Sequence, residues 1–318
     1  MLKPKRRDRE RMSVVAQTAD PGIAQAAEDI RAMRVRGAAK IGRHAAQALG
    51  EFAARWDGEP PSLQAAAAAL VAARPTAVSL PNAVDFVVRH ALQAAGGLEA
   101  RRDALAGAAR DFETRAEQAL KAIGANGATL VPEGGTVLTI CNSQGAITPL
   151  LAAHEAGKRF QVIALETRPW RQGLLTVKQL HEAGIRAALA VDAAAFTMLR
   201  EADLVMTGAD AIARNGDVVN KVGTGALAVL ARERGVPVHV CAETFKLDRK
   251  APTGAQVVIE EREAAEIVAP GEIPEGVQVR NPVFDVTDHR LVKSYVTDLG
   301  VLKAHQILDA ARKAWDWE

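Results

Sequence analysis

The spacing of apolar residues divides the chain into two parts, and the first part has a helical period. That period runs through residues 23–34, stops at Arg36-Gly37 and resumes from Ile41 to Phe52. Three more helices are predicted over residues 63–73, 81–97 and 98–123, with Gly124-Ala125-Asn126-Gly127 ending the last of them. Residues 20–128 are therefore predicted to form a helical domain.

From Thr136 onward, short apolar runs alternate with helical segments. The runs predict strands over residues 137–140, 160–165, 186–191, 203–206 and 237–240, with helices around 147–156, 176–183, 193–199 and 225–234. Strands joined by helices indicate a parallel sheet, so residues 129–318 are predicted to form a Rossmann-like α/β domain with a mainly parallel sheet. Beyond Lys250 the pattern weakens, leaving candidate strands at 257–260 and 284–286 and a closing helix at 303–314.

Composition narrows the classes of function. A hydrophobic content of 48% and a charged content of 25% are typical of a soluble globular protein. The aromatic content of 4% argues against recognition of single-stranded nucleic acid by base stacking, and a net charge of +2 gives no field that attracts polyanions. The exception is the basic stretch from Lys3 to Arg11 within residues 1–19, which is interpreted as a solvated tail, with RNA or an acidic partner as the alternative.

The expected cellular location depends on whether the sequence contains a signal peptide, a membrane span or a disulfide framework. No apolar segment follows the basic start as a signal peptide requires, and the longest apolar stretch, residues 65–73, is too short to span a bilayer. The two cysteines suggest no disulfide framework. We therefore expect a cytoplasmic protein without a membrane partner.

Reactive or charged residues follow all five predicted strands. In chain order they are Cys141, Glu166, Asp192, Asp210 and Glu243. Because the carboxyl ends of parallel strands meet at one edge of a sheet, these residues are expected to line one ligand-binding edge. Asp192 is the one best interpreted as a helix cap.

Cys141 and Asp210 form a candidate acid–base pair. The helix that begins near Gly145 is expected to point its positive end at Cys141, lowering the pKa of the thiol. Asp210, between an apolar strand and a loop, is expected to be desolvated and to act as an acid. The alternatives are a small core residue for Cys141 and a capped turn or ion pair for Asp210. Cys241 has no activating neighbour and is interpreted as structural.

Several loops combine glycine with positive charge, as phosphate sites do. Asn220-Lys221-Val222-Gly223-Thr224-Gly225 opens a helix, and its backbone N–H groups suit a phosphate. It is neither a Walker A loop nor the dinucleotide fingerprint. Positively charged residues also occur within residues 34–40, at Arg74 and at Lys246. These residues are either ordinary surface charges or parts of a site that binds two phosphates. No metal site is predicted, because the chain has neither a CxxC nor a histidine pair at helical spacing.

Taken together, these segments resemble a known superfamily. The motifs are Arg36-Gly37-Ala38, Arg74-Pro75-Thr76-Ala77-Val78, Cys141-Asn142, Glu166-Thr167-Arg168-Pro169, Gly208-Ala209-Asp210 and Asn220-Lys221-Val222-Gly223-Thr224. Its branches are the ribose 1,5-bisphosphate isomerases, the 5-methylthioribose-1-phosphate isomerases and the regulatory subunits of eukaryotic translation initiation factor 2B. The resemblance spans residues 20–310. It implies a helical domain before a Rossmann-like domain, homo-oligomers (a dimer or a trimer of dimers) and no metal or organic cofactor.

The branch is suggested by two details. Initiation-factor subunits generally lack the cysteine and aspartate, so Cys141 with Asp210 favours an enzyme. Methylthioribose-phosphate isomerases carry an Ala-Pro-x-Ser-Thr-like stretch after the last core strand, whereas this chain has Ala242-Glu243-Thr244-Phe245-Lys246, as the bisphosphate branch does. A 5-phosphate suits a cation there, and a methylthio group suits an apolar pocket.

The resemblance implies a phosphorylated pentose substrate and an aldose–ketose isomerisation through a phosphoenolate. Cys141 is expected to be the base and Asp210 the acid, although these roles are exchangeable. The implied substrate contacts are Arg36, Gly37, Ala38, Ala39, Arg74, Ser143, Gln144, Gly145, Asn220, Lys221 and Lys246. Two alternatives stay open: a methylthioribose-1-phosphate or deoxyribose-phosphate isomerase of a salvage route, and a non-catalytic subunit that binds a nucleotide or sugar phosphate. Activation by an AMP-type nucleotide is also left open.

Overall fold

The computed structural model describes residues 20–317, and the predicted basic tail lies outside the described residues. The described residues divide into two compact units, with the division between Glu117 and Gln118. The helices of the first unit are α1 (Pro21–Arg31), α2 (Ala38–Phe52), α3 (Pro60–Ala73), α4 (Ser79–Gln93) and the beginning of α5 (Leu98–Ala128). The units divide within α5, which itself ends at Ala128, so the domain boundary at residue 128 stays a prediction.

The core of the first unit forms where the helical periods place apolar side chains on one face. Ile23, Ile41, Leu63 and Phe112 are among the fully buried side chains. Helices α2 and α4 pack closely because α2 carries a glycine at the contact: a methyl group on Gly42 would lie 3.0 Å from the carbonyl oxygen of Ser79.

The glycines near the end of α5 were expected to break the helix, and this expectation is wrong. The helix continues through them to Ala128. A methyl group on Gly124 would lie 2.8 Å from Cγ2 of Thr148, and one on Gly127 would lie 2.7 Å from the Pro149 ring. These glycines therefore allow close helix packing and do not end the helix.

The second unit contains a larger and a smaller sheet. Its strands are β1 (Thr136–Thr139), β2 (Gln161–Leu165), β3 (Arg186–Ala190), β4 (Leu204–Thr207), β5 (Ala211–Ala213), β6 (Val218–Lys221), β7 (Val238–Cys241), β8 (Leu247–Asp248), β9 (Phe284–Thr287), β10 (Ser294–Thr297) and β11 (Gly300–Leu302). The larger sheet has the order β11-β10-β7-β4-β1-β2-β3, and all its neighbouring strands are parallel except β10 and β11. The smaller sheet has the order β8-β5-β6-β9.

Helices cover the larger sheet. They are α6 (Gln144–Glu155), α7 (Gly173–Glu182), the single turn α8 (Ala195–Met198), α9 (Thr224–Arg234) and α10 (Ala304–Trp315). Strands β1, β4 and β7 are buried along their whole length, as central strands of a covered parallel sheet should be. The predicted fold class, a helical region followed by a Rossmann-like region with a mainly parallel sheet, is confirmed.

The five strands predicted from apolar runs are all present in the larger sheet, and the candidate at 284–286 is β9. The candidate strand at 257–260 is wrong, because this segment belongs to neither sheet and Val258 is exposed. The predicted helix at 193–199 is divided into a 3-10 turn, Asp192–Ala194, and α8. In the described part of the chain, no helix is long and apolar enough to cross a membrane.

Candidate active site

The carboxyl edge of the larger sheet gathers the residues that follow its strands. Because β1, β2, β3, β4 and β7 are parallel, Cys141, Glu166, Asp192, Asp210 and Glu243 all follow strands at this same edge, as predicted. Strands β1 and β4 are neighbours in the centre of the sheet. The loops that carry Cys141 and Asp210 therefore leave the sheet side by side.

Cys141 is half-buried and has a backbone conformation that is unusual for a residue with a side chain. Its φ of 70° lies in the left-handed region. Two threonines hold it there: the Cys141 N–H donates to Oγ1 of Thr167 at 2.9 Å, and Oγ1 of Thr176 donates to the Cys141 carbonyl at 2.8 Å. Such conformations persist only where the surroundings fix them, and they concentrate at functional sites.

The electrostatic environment of Cys141 differs from the one expected. Burial raises the pKa of the thiol to about 11, and the negative charge of Asp210 adds to this effect. The positive charge of Lys221 and a hydrogen bond from the Asn142 N–H oppose it. The prediction that the start of helix α6 lowers the thiol pKa is therefore wrong, because desolvation outweighs those stabilising contacts.

Asp210 is half-buried at the junction between β4 and β5. Its N–H donates to the carbonyl of Val219 in β6 at 2.9 Å, which ties the Asp210 loop to the smaller sheet. Its charge acts on Cys141, so the two predicted catalytic residues lie within electrostatic reach of each other.

Ser143, Gln144 and Gly145 begin helix α6 beside Cys141. Ser143 is the residue before the helix, and a methyl group on Gly145 would lie 2.4 Å from the carbonyl oxygen of Cys241. Nε2 of Gln144 lies 3.5 Å from Oε1 of Gln179, a long contact. Cys241 itself is fully buried in the core, as expected for a structural cysteine.

Asp192 supports the neighbouring loop. Its two carboxylate oxygens accept the N–H groups of Thr167 and Arg168 at 2.8 and 2.7 Å, and its side chain makes no capping bond within its own turn. The interpretation of Asp192 as a helix cap is therefore wrong. Through Thr167, this carboxylate stabilises the loop that holds Cys141.

Asn220 and Lys221 end strand β6 and are both buried. Nδ2 of Asn220 donates to Oγ1 of Thr224 at 3.0 Å, and the Lys221 ammonium lies 5.2 Å from the centre of the Phe284 ring. This geometry is a cation–π contact. Lys221 is thus held in place with its charge within reach of Cys141.

The predicted phosphate contact through the glycine loop is wrong in one respect. The N–H groups of Gly223 and Gly225 already donate to the carboxylate of Asp285, at 2.7 Å from Gly223 and at 3.0 and 3.1 Å from Gly225. The start of helix α9 therefore has an anion supplied by the chain itself. Asp285 was missed at sequence level because it lies about sixty positions away from this loop.

Lys246, expected to contact a phosphate, is paired with a carboxylate in this structure. It lies in a 3-10 turn after β7, is buried, and forms an ion pair with Oε2 of Glu243 at 2.7 Å. A phosphate at this position has to share the lysine with that carboxylate. Thr244, in the same turn, is bound on both its N–H and its hydroxyl by the Asp298 carboxylate.

The remaining predicted contacts lie in the helical unit. Gly37 precedes α2 with a φ of 92°, Ala38 and Ala39 open that helix, and Arg36 is exposed with Nε donating to the Met33 carbonyl. Arg74 follows α3, five positions before α4 begins at Ser79. The Ser79 hydroxyl at the start of α4 donates to the Ala38 carbonyl at 2.5 Å, so both cationic segments lie at the same end of the helix pair.

Among residues 20–317, one group of potential metal ligands occurs, away from this edge. Oxygen or nitrogen atoms of Asp217, Asp288 and His289 lie within 4.8 Å of one another. Protein donors already bind these carboxylates: Asp217 accepts from Asn215, from the Gly254 N–H and from His289, and Asp288 accepts from Arg290. We interpret the group as a structural hydrogen-bond network.

Comparison with known proteins shows which family the chain matches. Residues 34–304 match the initiation factor 2 subunit family. The chain is 46% identical over 283 residues to a ribose 1,5-bisphosphate isomerase of Archaeoglobus fulgidus, covering 88% of this chain and 89% of the relative. It is 43% identical over 296 residues to a methylthioribose-1-phosphate isomerase of Geobacter metallireducens, covering 87% and 86%. The crystal structure of translation initiation factor eIF-2B from Pyrococcus horikoshii OT3 superposes with a TM-score of 0.78 at 29% identity, covering 89% of this chain and 97% of that one.

The named relatives, which are sugar-phosphate isomerases, identify the chain as an enzyme of the aldose–ketose isomerase type. The chain belongs to the initiation factor 2 subunit family.

Proposed function

We propose that the chain converts ribose 1,5-bisphosphate to ribulose 1,5-bisphosphate. The observation that carries this proposal is the electrostatic influence of both Asp210 and Lys221 on the Cys141 thiol, in a chain 46% identical to a ribose 1,5-bisphosphate isomerase. The stretch from Glu243 to Lys246 after β7 supports it, because it provides a cation for a second phosphate at the same sheet edge.

The substrate dictates which groups are needed. Ribose 1,5-bisphosphate carries phosphate on its anomeric oxygen, so its ring has to open with that phosphate attached. An acid donates a proton to the ring oxygen as the bond from C1 to that oxygen breaks, and a base removes the C2 proton to form a C1–C2 double bond. The base then returns its proton to C1 while the C2 hydroxyl gives its proton back to the acid, leaving the ketone.

We assign the acid to Cys141 and the base to Asp210. A thiol with a pKa of about 11 retains its proton at neutral pH and is available to donate it. Asp210, within electrostatic reach, then accepts the C2 proton. This is the exchanged form of the expected assignment, and burial of the thiol is the physical reason for preferring it.

We propose the other predicted residues as substrate contacts. In the second unit they are Ser143, Gln144, Gly145, Asn220, Lys221 and Lys246, and in the helical unit they are Arg36, Gly37, Ala38, Ala39 and Arg74. We further propose a homo-oligomer in the cytoplasm without a metal or organic cofactor. Neither nucleic acid nor membrane is a partner in this proposal, and AMP is the nucleotide to test as an activator.

The second candidate is methylthioribose-1-phosphate isomerisation. The specific observation in its favour is the ion pair between Lys246 and Glu243. Because Glu243 already neutralises the lysine assigned to the 5-phosphate, a substrate without that phosphate is favoured. The relative from Geobacter metallireducens, 43% identical, supports it as well. A non-catalytic subunit is the third candidate, supported by the likeness to an initiation factor structure and opposed by the Cys141 and Asp210 pair.

The experiment that separates these candidates is phosphorus NMR of the purified chain with each sugar phosphate, beside the Cys141→Ser variant. Formation of ribulose 1,5-bisphosphate by the wild type alone supports the first proposal. Conversion of only methylthioribose 1-phosphate, or of a deoxyribose phosphate, moves the chain to the salvage candidate. Binding of a sugar phosphate or nucleotide without turnover favours the non-catalytic subunit.

The role of Lys246 is tested with a variant that keeps the buried site neutral. Lys246→Met alone leaves the Glu243 charge buried and unpaired, which destabilises the fold. The double variant Lys246→Met/Glu243→Gln removes both charges. Relative to the wild type, we expect KM for ribose 1,5-bisphosphate to rise about tenfold or more in this double variant, because a charged contact is lost. An unchanged KM removes Lys246 from the phosphate site.

A further inference from the structure

Asp285 holds the end of strand β6 from the neighbouring strand β9. The two strands are antiparallel, with Asn220 opposite Asp285 and Lys221 opposite Phe284. The carboxylate of Asp285 then accepts the N–H groups of Gly223 and Gly225, which follow Lys221 in the chain. Strand β9 therefore makes two contacts with the segment around Lys221. The Phe284 ring contacts the Lys221 ammonium, and the Asp285 carboxylate binds the turn that follows Lys221.

The glycines of this turn are shaped for that carboxylate. Gly223 has a φ of 103°, a conformation that favours glycine, and its N–H donates to Asp285. A Cβ on Gly225 would lie 3.1 Å from the Val286 carbonyl oxygen and 3.4 Å from the Asp285 carboxyl carbon. A methyl group on Gly225 would therefore crowd the Val286 carbonyl oxygen, in the residue next to Asp285. Burial raises the pKa of Asp285, so the anion depends on these N–H groups and on the positive end of helix α9 for stabilisation.

We propose that Asp285 is a positioning residue that fixes the turn after β6 and thereby keeps the Lys221 ammonium over Phe284 and within reach of Cys141. This inference rests on the proposed roles of Cys141 and Lys221. Asp285 does not touch the reacting atoms in this proposal and acts only through Lys221. An ordinary helix cap would stabilise α9 without affecting Cys141, and this difference makes the proposal testable.

The test uses the reactivity of Cys141, which requires no substrate. Only the thiolate reacts with iodoacetamide, and the charged groups that face the thiol are Lys221 from β6 and Asp210 from the end of β4. Lys221 favours the thiolate, so moving its charge away raises the thiol pKa. A rise of one unit slows alkylation about tenfold at a fixed pH below that pKa. Cys241 is fully buried, and Cys141→Ser measures any background from it.

Alkylation rates are measured from pH 8 to 10 for the wild type, Asp285→Asn, Asp285→Ala and Lys221→Met. The matched control is Asp217→Asn. Asp217 also accepts backbone N–H groups, but it precedes the first residue of β6, whereas Lys221 is the last residue of that strand. We expect both Asp285 variants to slow alkylation about tenfold, in the same direction as Lys221→Met, while Asp217→Asn follows the wild type.

An alkylation profile of Asp285→Ala that matches the wild type overturns the proposal, as does an equal effect of Asp217→Asn. Circular dichroism and the unfolding midpoint identify a variant that fails to fold, and the isosteric Asp285→Asn then carries the test. Under the proposal, KM for the phosphorylated substrate also rises about tenfold in Asp285→Asn. Absence of turnover in every protein rejects the proposed function and leaves the alkylation result valid.

Discussion

The Cα atom of Gly208 lies directly against the hydroxyl of Ser143. A methyl group on Gly208 would lie 2.0 Å from Oγ and 2.5 Å from Cβ of Ser143, well inside contact distance. Gly208 leads to Asp210 after β4, and Ser143 follows Cys141 after β1. The absence of a side chain at Gly208 is therefore what allows the loops of the two proposed catalytic residues to touch.

We predict that Gly208→Ala reduces turnover by about tenfold to a hundredfold with little loss of secondary structure. The added methyl has to separate the two loops, and a shift of about 1 Å at reacting groups costs up to roughly a hundredfold in rate. Steady-state kinetics with the identified sugar phosphate provide the measurement. Ser143→Gly removes the atoms in conflict, so the double variant Gly208→Ala/Ser143→Gly should recover part of the loss relative to Ser143→Gly alone. Turnover of Gly208→Ala equal to that of the wild type would show that the loops move apart without consequence.

A second prediction concerns the two proposed catalytic groups. Cys141→Ser and Asp210→Asn should each reduce kcat by at least about 10² to 10⁴, the usual contribution of a general acid or base. Substrate affinity, measured by calorimetry, should change much less, because neither group is proposed to bind phosphate. A variant that retains near-wild-type kcat removes its residue from the mechanism.

Strand positions were predictable from sequence wherever an apolar run of four or more residues enters the covered sheet. Strand β6 was missed because it ends in buried Asn220 and Lys221, which resemble a phosphate loop. Strand β5 has only three residues, too few for any periodicity. In the smaller sheet, β9 was therefore predicted from its apolar run, whereas β5 and β6 were not.

The candidate site was predictable in its location but not in its electrostatics. Residues at strand ends follow from chain order and parallel topology, so the position of Cys141 and Asp210 at this sheet edge was predictable. The pKa of Cys141 depends on burial and on Lys221 and Asp210, both distant in sequence. Likewise, the ion pair of Lys246 with Glu243 and the capture of the Gly223 N–H by Asp285 are properties of packing.

Helix α5 offers a third prediction with an internal control. Gly127→Ala would place a methyl 2.7 Å from the Pro149 ring and 3.2 Å from Cγ1 of Val296, so we expect a loss of about 1–3 kcal/mol in the free energy of unfolding. Gly107 lies in the same helix with nothing within 4 Å of an added Cβ. Gly107→Ala should therefore be neutral or stabilising by about 0.5–1 kcal/mol. Urea denaturation of both variants measures the difference, and equal midpoints contradict the packing role of Gly127.

A fourth prediction follows from His239, which is buried in β7. Burial, together with the charges of Lys293 and Lys303, lowers the pKa of its imidazole from 6.5 to about 4. As the pH falls from about 6.5 to 4, the unfolded chain binds a proton that the folded chain does not accept, so stability is lost over this window. The loss attributable to this group is on the order of 3 kcal/mol.

The variant His239→Asn isolates this effect. Nδ1 of His239 lies 2.8 Å from Oγ of Ser294, and an asparagine amide at the same position retains a partner for that hydroxyl without titrating. We expect the free energy of unfolding of the wild type to fall more steeply between pH 7 and 4 than that of His239→Asn, by roughly the same 3 kcal/mol in total. Carboxylates such as Asp217 titrate equally in both proteins and cancel in the comparison. Parallel curves of stability against pH for the two proteins would show that His239 accepts its proton in the folded state.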